Sequence, residues 1–373
     1  MTARPRVLFV GRTRYTFPLD TAQSRKWDAL ERVIDFRVIA SGRSDDPRFD
    51  LQPGVGTNLV DAPLFYGSLV GRVARALRAF RPAAVICQSP YETAAVLAAR
   101  RLVRSHAAVV VEVHGDWRTL TRLYGSSARR IASPAGDQLA AWAVRHADAS
   151  RALSGFTSSL VREVRGEEPD AVFVTWTDLG EFAGTDPKPL PDEPRAVFIG
   201  ALQPYKNVDG VVATWRRVLA EMPEAVLHVV GRGPEEHAIT ALLRDHPSVE
   251  WSPSLPAPDI ATALDRSQLL FLPSHREGLG RVVIESLARG RPVVASNAGG
   301  IPDLVHDGVN GELYPSHDDV AMADGLVRLF RDRARLEQLA AAARPSIQDW
   351  LWSPDEYAQR VRDLVDAAAA KTR

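Results

Sequence analysis

Short, almost unbroken runs of β-branched and aliphatic residues recur along the chain, separated by longer stretches rich in Ala, Arg and Leu at helical spacing. The runs are RVLFVG (6–11), AAVICQ (83–88), AVVVEVHG (108–115), AVFIGAL (196–202), AVLHVVG (225–231), QLLFLP (268–273) and RPVVAS (291–296). A strand that is apolar along its whole length, rather than at alternate positions, is buried on both faces. Strands of that kind separated by helices predict a parallel sheet covered on either side. One segment breaks the alternation. Residues 181–195, EFAGTDPKPLPDEPR, hold four prolines and no apolar period, which reads as a linker. It divides the chain into two α/β halves, each opening with a strand. Each half is expected to form a Rossmann-like, doubly wound parallel sheet, with ligands beyond the carboxyl ends of its strands. The expected division is 1–185, 186–350 and a terminal helix over 351–373, the two sheets facing each other across a cleft. Ser353 suits the N-cap of that helix, Pro354 its first position, and Asp355 and Glu356 its first turn.

Composition supports two domains and narrows the partners. A length of 373 residues exceeds one ordinary core. Hydrophobic residues at 45% and charged residues at 25% describe a soluble globular protein. A single cysteine, Cys87, precludes an internal disulfide and agrees with a reducing cytosol. No stretch approaches the roughly 20 apolar residues of a membrane span, and the first apolar run is too short for a signal peptide, so a cytoplasmic location is expected. A net charge of zero argues against a dedicated nucleic-acid binder. That zero hides an asymmetry: residues 1–190 carry 26 Lys and Arg against 20 Asp and Glu, and the remainder carries 20 against 26. A basic first half is a weak hint of an anionic partner.

The chemistry concentrates in SHREGLGRVVIESLARG, residues 274–290. It reads as a turn followed by a helix that Gly290 and Pro292 stop. Gly278 and Gly280 let the backbone approach a ligand and open the helix with free N–H groups, an anion site. A carboxylate at Glu277 would repel a phosphate there, so its natural donors are sugar hydroxyls. Glu285, about one turn into the helix, is an acceptor suited to a vicinal diol such as a ribose. The stretch can therefore hold a diphosphate between two polyols, the outline of a nucleotide sugar. The plainer alternative is a loop glutamate, a helix-surface glutamate and two turn-forming glycines.

The residues PSHREGLGRVVIESLARGRPVVASNAGGIPDLVHDGVNG (273–311) resemble the retaining glycosyltransferases of the GT-B fold, especially glycosyltransferase family 4. IGALQPYKNVDGVV (199–212) is similar to the family's strand and turn carrying a phosphate-binding lysine, and HVVGRGP (228–234) to its G-x-G-P turn. VVVEVHG (109–115) looks like the strand that ends in a histidine, and RALSGFTSSLV (151–161) like the segment closing the first domain. The likeness is dense in the second half and sparse in the first. It implies that Lys206 pairs with the donor diphosphate, beside Gly200 and Gly231. It also implies that the backbone at Gly278, Leu279 and Gly280 reaches sugar and phosphate. Glu277 would hold sugar hydroxyls, Glu285 the ribose, and His114 would lie over the reacting sugar. The implied reaction moves a hexosyl group from a UDP- or GDP-sugar to an acceptor hydroxyl with retention, the leaving phosphate taking the acceptor proton. No cofactor and no metal are implied; there is no Asp-x-Asp motif, and a cation with a helix dipole can do the electrostatic work. The acceptor, whether lipid-linked, glycan or small molecule, falls to the first half.

Two departures stand out. The family usually has an arginine after the glycine of the strand preceding the lysine; here Gly200 is followed by Ala201. The first loop has one glycine, Gly11, and instead carries Arg12 and Arg14, candidates to replace the lost cation or simply solvated side chains. Asp116 and Trp117 could meet an acceptor or form a loop tip, Ser154 could contact a ligand or cap a helix, and His114 alone could be a buried structural residue. Residues 66–81, with Arg72, Arg75, Arg78 and Arg81 beside an apolar stripe of Leu69, Val73, Leu77 and Phe80, fit either a helix covering the sheet or one lying on an anionic membrane. A nucleotide-sugar hydrolase or epimerase, and a silent sugar-nucleotide-binding partner of an active transferase, remain as alternatives. A dehydrogenase is disfavoured because G-x-G-x-x-G is absent after the first strand.

Overall fold

The computed structural model describes residues 4–54, 58–118 and 127–372. The chain forms two compact units, Met1–Thr177 with Trp352–Arg373, and Asp178–Leu351.

The first unit is built on a parallel sheet in the order β3-β2-β1-β4-β5-β6-β7. Its strands are Arg6–Tyr15 (β1), Asp35–Gly42 (β2), Phe49–Gln52 (β3), Ala84–Cys87 (β4), Ala108–Val113 (β5), Ala149–Ala152 (β6) and Ala171–Val172 (β7). Neighbouring residues of β1 feed opposite faces: Val7 and Phe9 enter one apolar cluster, Leu8 and Val10 the other. Both faces are covered there, which is why the run Val7–Val10 is apolar without a break. The helix Asn58–Phe80 covers one of them with Leu69, Val73 and Leu77. The apolar stripe is thus core, and Arg72 turns inward to Asp50 at 2.9 Å, leaving Arg75, Arg78 and Arg81 exposed. The helix Pro354–Ala370 covers the other face with Tyr357, Val361, Leu364 and Val365, beside Trp27 and Phe36. Ser353 caps it reciprocally with Glu356: the Glu356 N–H donates to the serine hydroxyl at 3.1 Å, and the Ser353 N–H to the carboxylate at 2.7 Å.

The second unit repeats the plan with six strands in the order β10-β9-β8-β11-β12-β13. They are Arg195–Ile199 (β8), Val226–Val230 (β9), Val249–Ser252 (β10), Leu269–Leu272 (β11), Val293–Ser296 (β12) and Gly311–Tyr314 (β13). In both sheets the winding reverses once, between β1 and β4 and between β8 and β11, and such reversals open the crevices where ligands bind.

The proline-rich stretch is not a free linker. Proline lacks an N–H, so its neighbourhood offers carbonyls without competing donors, and two arginines, the buried Arg291 and the partly exposed Arg333, take them. Arg291 donates to the Lys188 carbonyl at 2.8 Å and the Pro189 carbonyl at 3.3 Å, and Arg333 to those of Leu190 at 2.8 Å and Pro191 at 2.6 Å. Residues 188–191 are thereby strapped to the second unit, and the chain passes between units at Thr177–Asp178 and Leu351–Trp352. No helix among the described residues is long and apolar enough to cross a membrane.

Candidate functional site

The switch point of the second unit lies between β8 and β11, and each strand delivers one charged side chain beyond its carboxyl end. After β8 the chain makes a short turn, Pro204–Lys206, and enters the helix Val208–Glu221. Asn207 fixes that turn. Its left-handed backbone (φ 56°) lets its side chain accept from the Gly210 N–H at 3.1 Å. The amide then donates to the carbonyls of Pro273 at 3.0 Å and Ser316 at 3.2 Å, tying the β8 turn to the ends of β11 and β13. Lys206 lies back across Gly200, where an added Cβ would sit 3.2 Å from its Cε; a larger residue would crowd the lysine stem.

From β11 comes Glu277. The Lys206 ammonium pairs with its Oε1, and the Ser274 hydroxyl donates to the same oxygen at 3.1 Å. The two charged side chains are only 9% and 10% exposed. Backbone bonds hold the loop: His275 N–H to the Tyr205 carbonyl at 2.8 Å, and Gly300 N–H to the Glu277 carbonyl at 2.9 Å. Gly299 (φ +60°) is required by this approach, since a Cβ there would lie 2.0 Å from the Glu277 carbonyl oxygen. Gly280 (φ 89°) then opens the helix Arg281–Ala288 with no side-chain cap, leaving its N-terminal N–H groups for a ligand. Leu279 packs on the core from this turn.

Glu285 is not a helix-surface residue. Its side chain is buried and accepts from Arg281 Nε at 2.6 Å. Burial raises its pKa above the ordinary carboxylate value, with Arg281 opposing. A carboxyl raised on folding makes the folded state bind more protons, so it lowers stability as pH rises from the ordinary glutamate value through the folded one. Glu285→Gln is accordingly expected to raise the melting temperature at pH 7.5 but not at pH 4, while weakening nucleotide binding. An equal change at both pH values would refute the assignment.

The G-x-G-P turn after β9 sits directly against the β8 tail. A Cβ on Gly231 would meet the Gly200 carbonyl oxygen at 1.9 Å, and one on Gly233 the Leu202 carbonyl oxygen at 2.1 Å. The Leu202 N–H donates to the Arg232 carbonyl at 2.8 Å. Arg232 therefore sits beside Ala201, where the expected arginine is missing, and its exposed guanidinium has no partner among the described residues. In the sequence the G-x-G-P turn is marked by its glycines, and nothing there singles out Arg232.

The first unit places the remaining candidates. His114 follows β5 directly, with its side chain 40% exposed, so it is not a buried structural histidine. Arg12 and Arg14 are exposed and lie on β1 itself, which continues past a register shift to Tyr15 rather than ending in a loop at Gly11. Asp116 and Trp117 are buried, not at a loop tip: Trp117 packs among Val111, Val113 and Val144, and Asp116 accepts from Arg118 Nε at 3.0 Å. Ser154 is a helix cap, accepting from the Thr157 N–H at 3.1 Å.

Two parallel-sheet units of this order, with a cation and a carboxylate at the reversal of the second, define a GT-B architecture. Residues 22–175 match the model for a glycosyl transferase 4-like domain, and residues 185–345 that for glycosyl transferases group 1. With both halves matched, the chain belongs to this group of glycosyltransferases. Over 178 residues it is 33% identical to the D-inositol 3-phosphate glycosyltransferase of Thermobispora bispora, an alignment covering 44% of this chain and 41% of that one. The chain thus spans less than half the length of such curated relatives. In fold it is similar to sucrose-phosphate synthase from Thermosynechococcus elongatus (TM-score 0.76, 18% identity, 98% of this chain and 100% of that one). It is also similar to Anabaena HepE, solved in complex with UDP-glucose (TM-score 0.69, 16% identity, 98% and 100% covered).

Proposed function

We propose that this protein is a retaining glycosyltransferase that moves a hexosyl group from a UDP- or GDP-sugar to an acceptor hydroxyl without a catalytic metal. The observation that carries the reading is the Lys206–Glu277 pair, held across the switch point beside an uncapped helix N-terminus. A diphosphate there competes with Glu277 for Lys206, and a released Glu277 carboxylate is free to accept from the hydroxyls of the attached sugar. The ammonium and helix N–H groups stabilise the negative charge that grows as the diphosphate leaves. Glu285 receives the ribose, and His114 meets the reacting sugar. The leaving phosphate takes the acceptor proton as the acceptor attacks the same face. Arg232 supplies the second cation that Ala201 does not. The acceptor is a lipid-linked, glycan or small hydroxyl compound. Any contact with an anionic membrane falls to the exposed Arg75, Arg78 and Arg81, because the apolar face of their helix is in the core.

The test is a thermal-shift panel of UDP-, GDP-, TDP- and ADP-sugars in EDTA, on the parent and on Arg232→Ala, since a ligand that binds the native state raises its melting temperature. One nucleotide series is expected to stabilise the parent, and Arg232→Ala to weaken its binding about tenfold. Stabilisation by one series with no transfer to any acceptor would favour the silent sugar-nucleotide-binding partner to which Ala201 points, and stabilisation by none, with or without EDTA, would overturn the donor site. Release of free sugar without any acceptor would favour the hydrolase.

A further inference from the structure

Two residues before His114, on the same face of β5, stands a carboxylate that the donor site does not use. Glu112 is buried, its side chain 7% exposed, while the histidine ring above it reaches solvent. Each of its oxygens has its own donor: Oε2 lies 3.0 Å from His114 Nε2, and Oε1 lies 3.1 Å from Nη2 of Arg151 on the neighbouring β6. Arg151 is completely buried, stacks its guanidinium 4.5 Å from the centroid of the Phe173 ring, and donates to the Thr175 hydroxyl at 2.7 Å. Burial pushes the Glu112 carboxyl up, but Arg151, His114 and Lys26 outweigh it and hold it below the usual range. The group is a carboxylate, and a carboxylate can only accept.

We infer that Glu112 is the positioning residue of His114: clamped by Arg151, it takes the imidazole Nε2–H and leaves Nδ1 as the ring atom that accepts a hydrogen bond from a substrate hydroxyl. The inference rests on the reading of His114 as a group that meets the reacting sugar. It assigns to that residue a tautomer and an orienting partner. A neutral imidazole carries one proton, and whichever nitrogen faces a fixed acceptor holds it. The rigid clamp matters because the exposed ring would otherwise exchange tautomers and rotamers freely in water.

The carboxamide variant separates positioning from packing. In Glu112→Gln one oxygen is left to serve two donors. Arg151 has no acceptor to offer an amide N–H₂, so the amide oxygen stays with the arginine and the N–H₂ turns to the histidine. His114 Nε2 must then accept, and its proton moves to Nδ1. Imidazole 15N–1H correlation spectra, with His114 assigned through His114→Ala, are expected to show Nε2–H in the parent and Nδ1–H in Glu112→Gln. Transfer kcat is expected to fall about 100-fold with the donor KM little changed, as when a catalytic histidine is held in the wrong tautomer. An Nδ1–H histidine in the parent would overturn the inference whether or not the variant folds. So would an unchanged tautomer or an unchanged kcat in a folded Glu112→Gln. The proposed function fails separately, if the parent transfers sugar from no nucleotide donor; the parent's spectrum still decides the tautomer.

Discussion

Lys206→Ala is expected to lower kcat for sugar transfer by about 10²- to 10³-fold, the usual cost of losing one donor to charge that develops in a transition state. Bare UDP or GDP should bind more weakly as well, because in the proposed mechanism the ammonium meets the diphosphate before and after transfer. The substitution has a second consequence that follows from the ion pair. Glu277 would keep only the Ser274 hydroxyl while staying nine-tenths buried. Stranding one charge of such a pair costs roughly 3 kcal/mol, so the melting temperature should fall too. Glu277→Gln separates the roles. It leaves Lys206 without its acidic competitor, so the bare nucleotide diphosphate should bind at least as tightly as to the parent. Transfer should still fall, because an amide oxygen accepts more weakly from a sugar hydroxyl than a carboxylate does. Calorimetry with UDP and GDP beside a transfer assay reads both effects. A Lys206→Ala protein with kcat within threefold of the parent would remove the lysine from the mechanism.

The largest structural effect is expected at Gly231. Its φ of +150° is open to glycine and strained for other residues, and an added Cβ would lie 1.9 Å from the Gly200 carbonyl oxygen and 2.9 Å from its carbon. Both are backbone atoms, so no rotamer change relieves the clash. The ends of β8 and β9 would have to part, loosening the Gly200 N–H to Val230 carbonyl bond of 2.9 Å. Gly231→Ala should destabilise the second unit by at least about 3 kcal/mol, a fall of roughly 8 °C for a unit of this size. It should weaken donor binding with it by displacing Arg232. Gly166→Ala is the control: φ is +77° there but nothing lies within 4 Å of the added carbon. That change should cost about 1 kcal/mol. Equal losses at the two sites, measured by chemical unfolding, would show that strain alone, not the close approach of β8 and β9, governs Gly231.

The strands that sequence revealed are those with a nearly unbroken apolar run. Runs such as AVIC and LLFL announce themselves because both faces of the sheet are covered. The strands it missed carry polar residues for a reason visible only in three dimensions. β6 reads ASRA because Arg151 is spent on Glu112 of the adjacent strand. β3, β7 and β10 are short, and β3, β7 lie at sheet edges with β10 likewise outermost in its own sheet. The extension of β1 through Arg12, Thr13 and Arg14 read as a loop because its side chains are exposed.

The candidate site was legible in part. Lys206, Glu277 and Glu285 could be picked out from spacing and resemblance, each on its own segment. Their pairing could not: Lys206 and Glu277 lie 71 positions apart, and only the strand order makes β8 and β11 neighbours. Nor could the sequence show that the backbone of Arg232 lies beside the β8 tail at Ala201 and Leu202, which depends on the 231–233 turn packing there. The strap at 188–191 looked like a linker for a related reason: its partners, Arg291 and Arg333, lie about a hundred residues or more away.

The return of the last helix to the first sheet has a consequence for how the protein is made. Residues 352–373 belong to the unit that residues 1–177 begin, so the second unit is an insertion within the first. On the ribosome the amino-terminal sheet emerges with one face only partly covered, by the helix Thr21–Val33, and Trp27 and Phe36 wait for Tyr357, Val361 and Leu364. The inserted unit, continuous in sequence, can mature while the older one is still unfinished. The first part of this chain to be synthesised is therefore the last to be sealed.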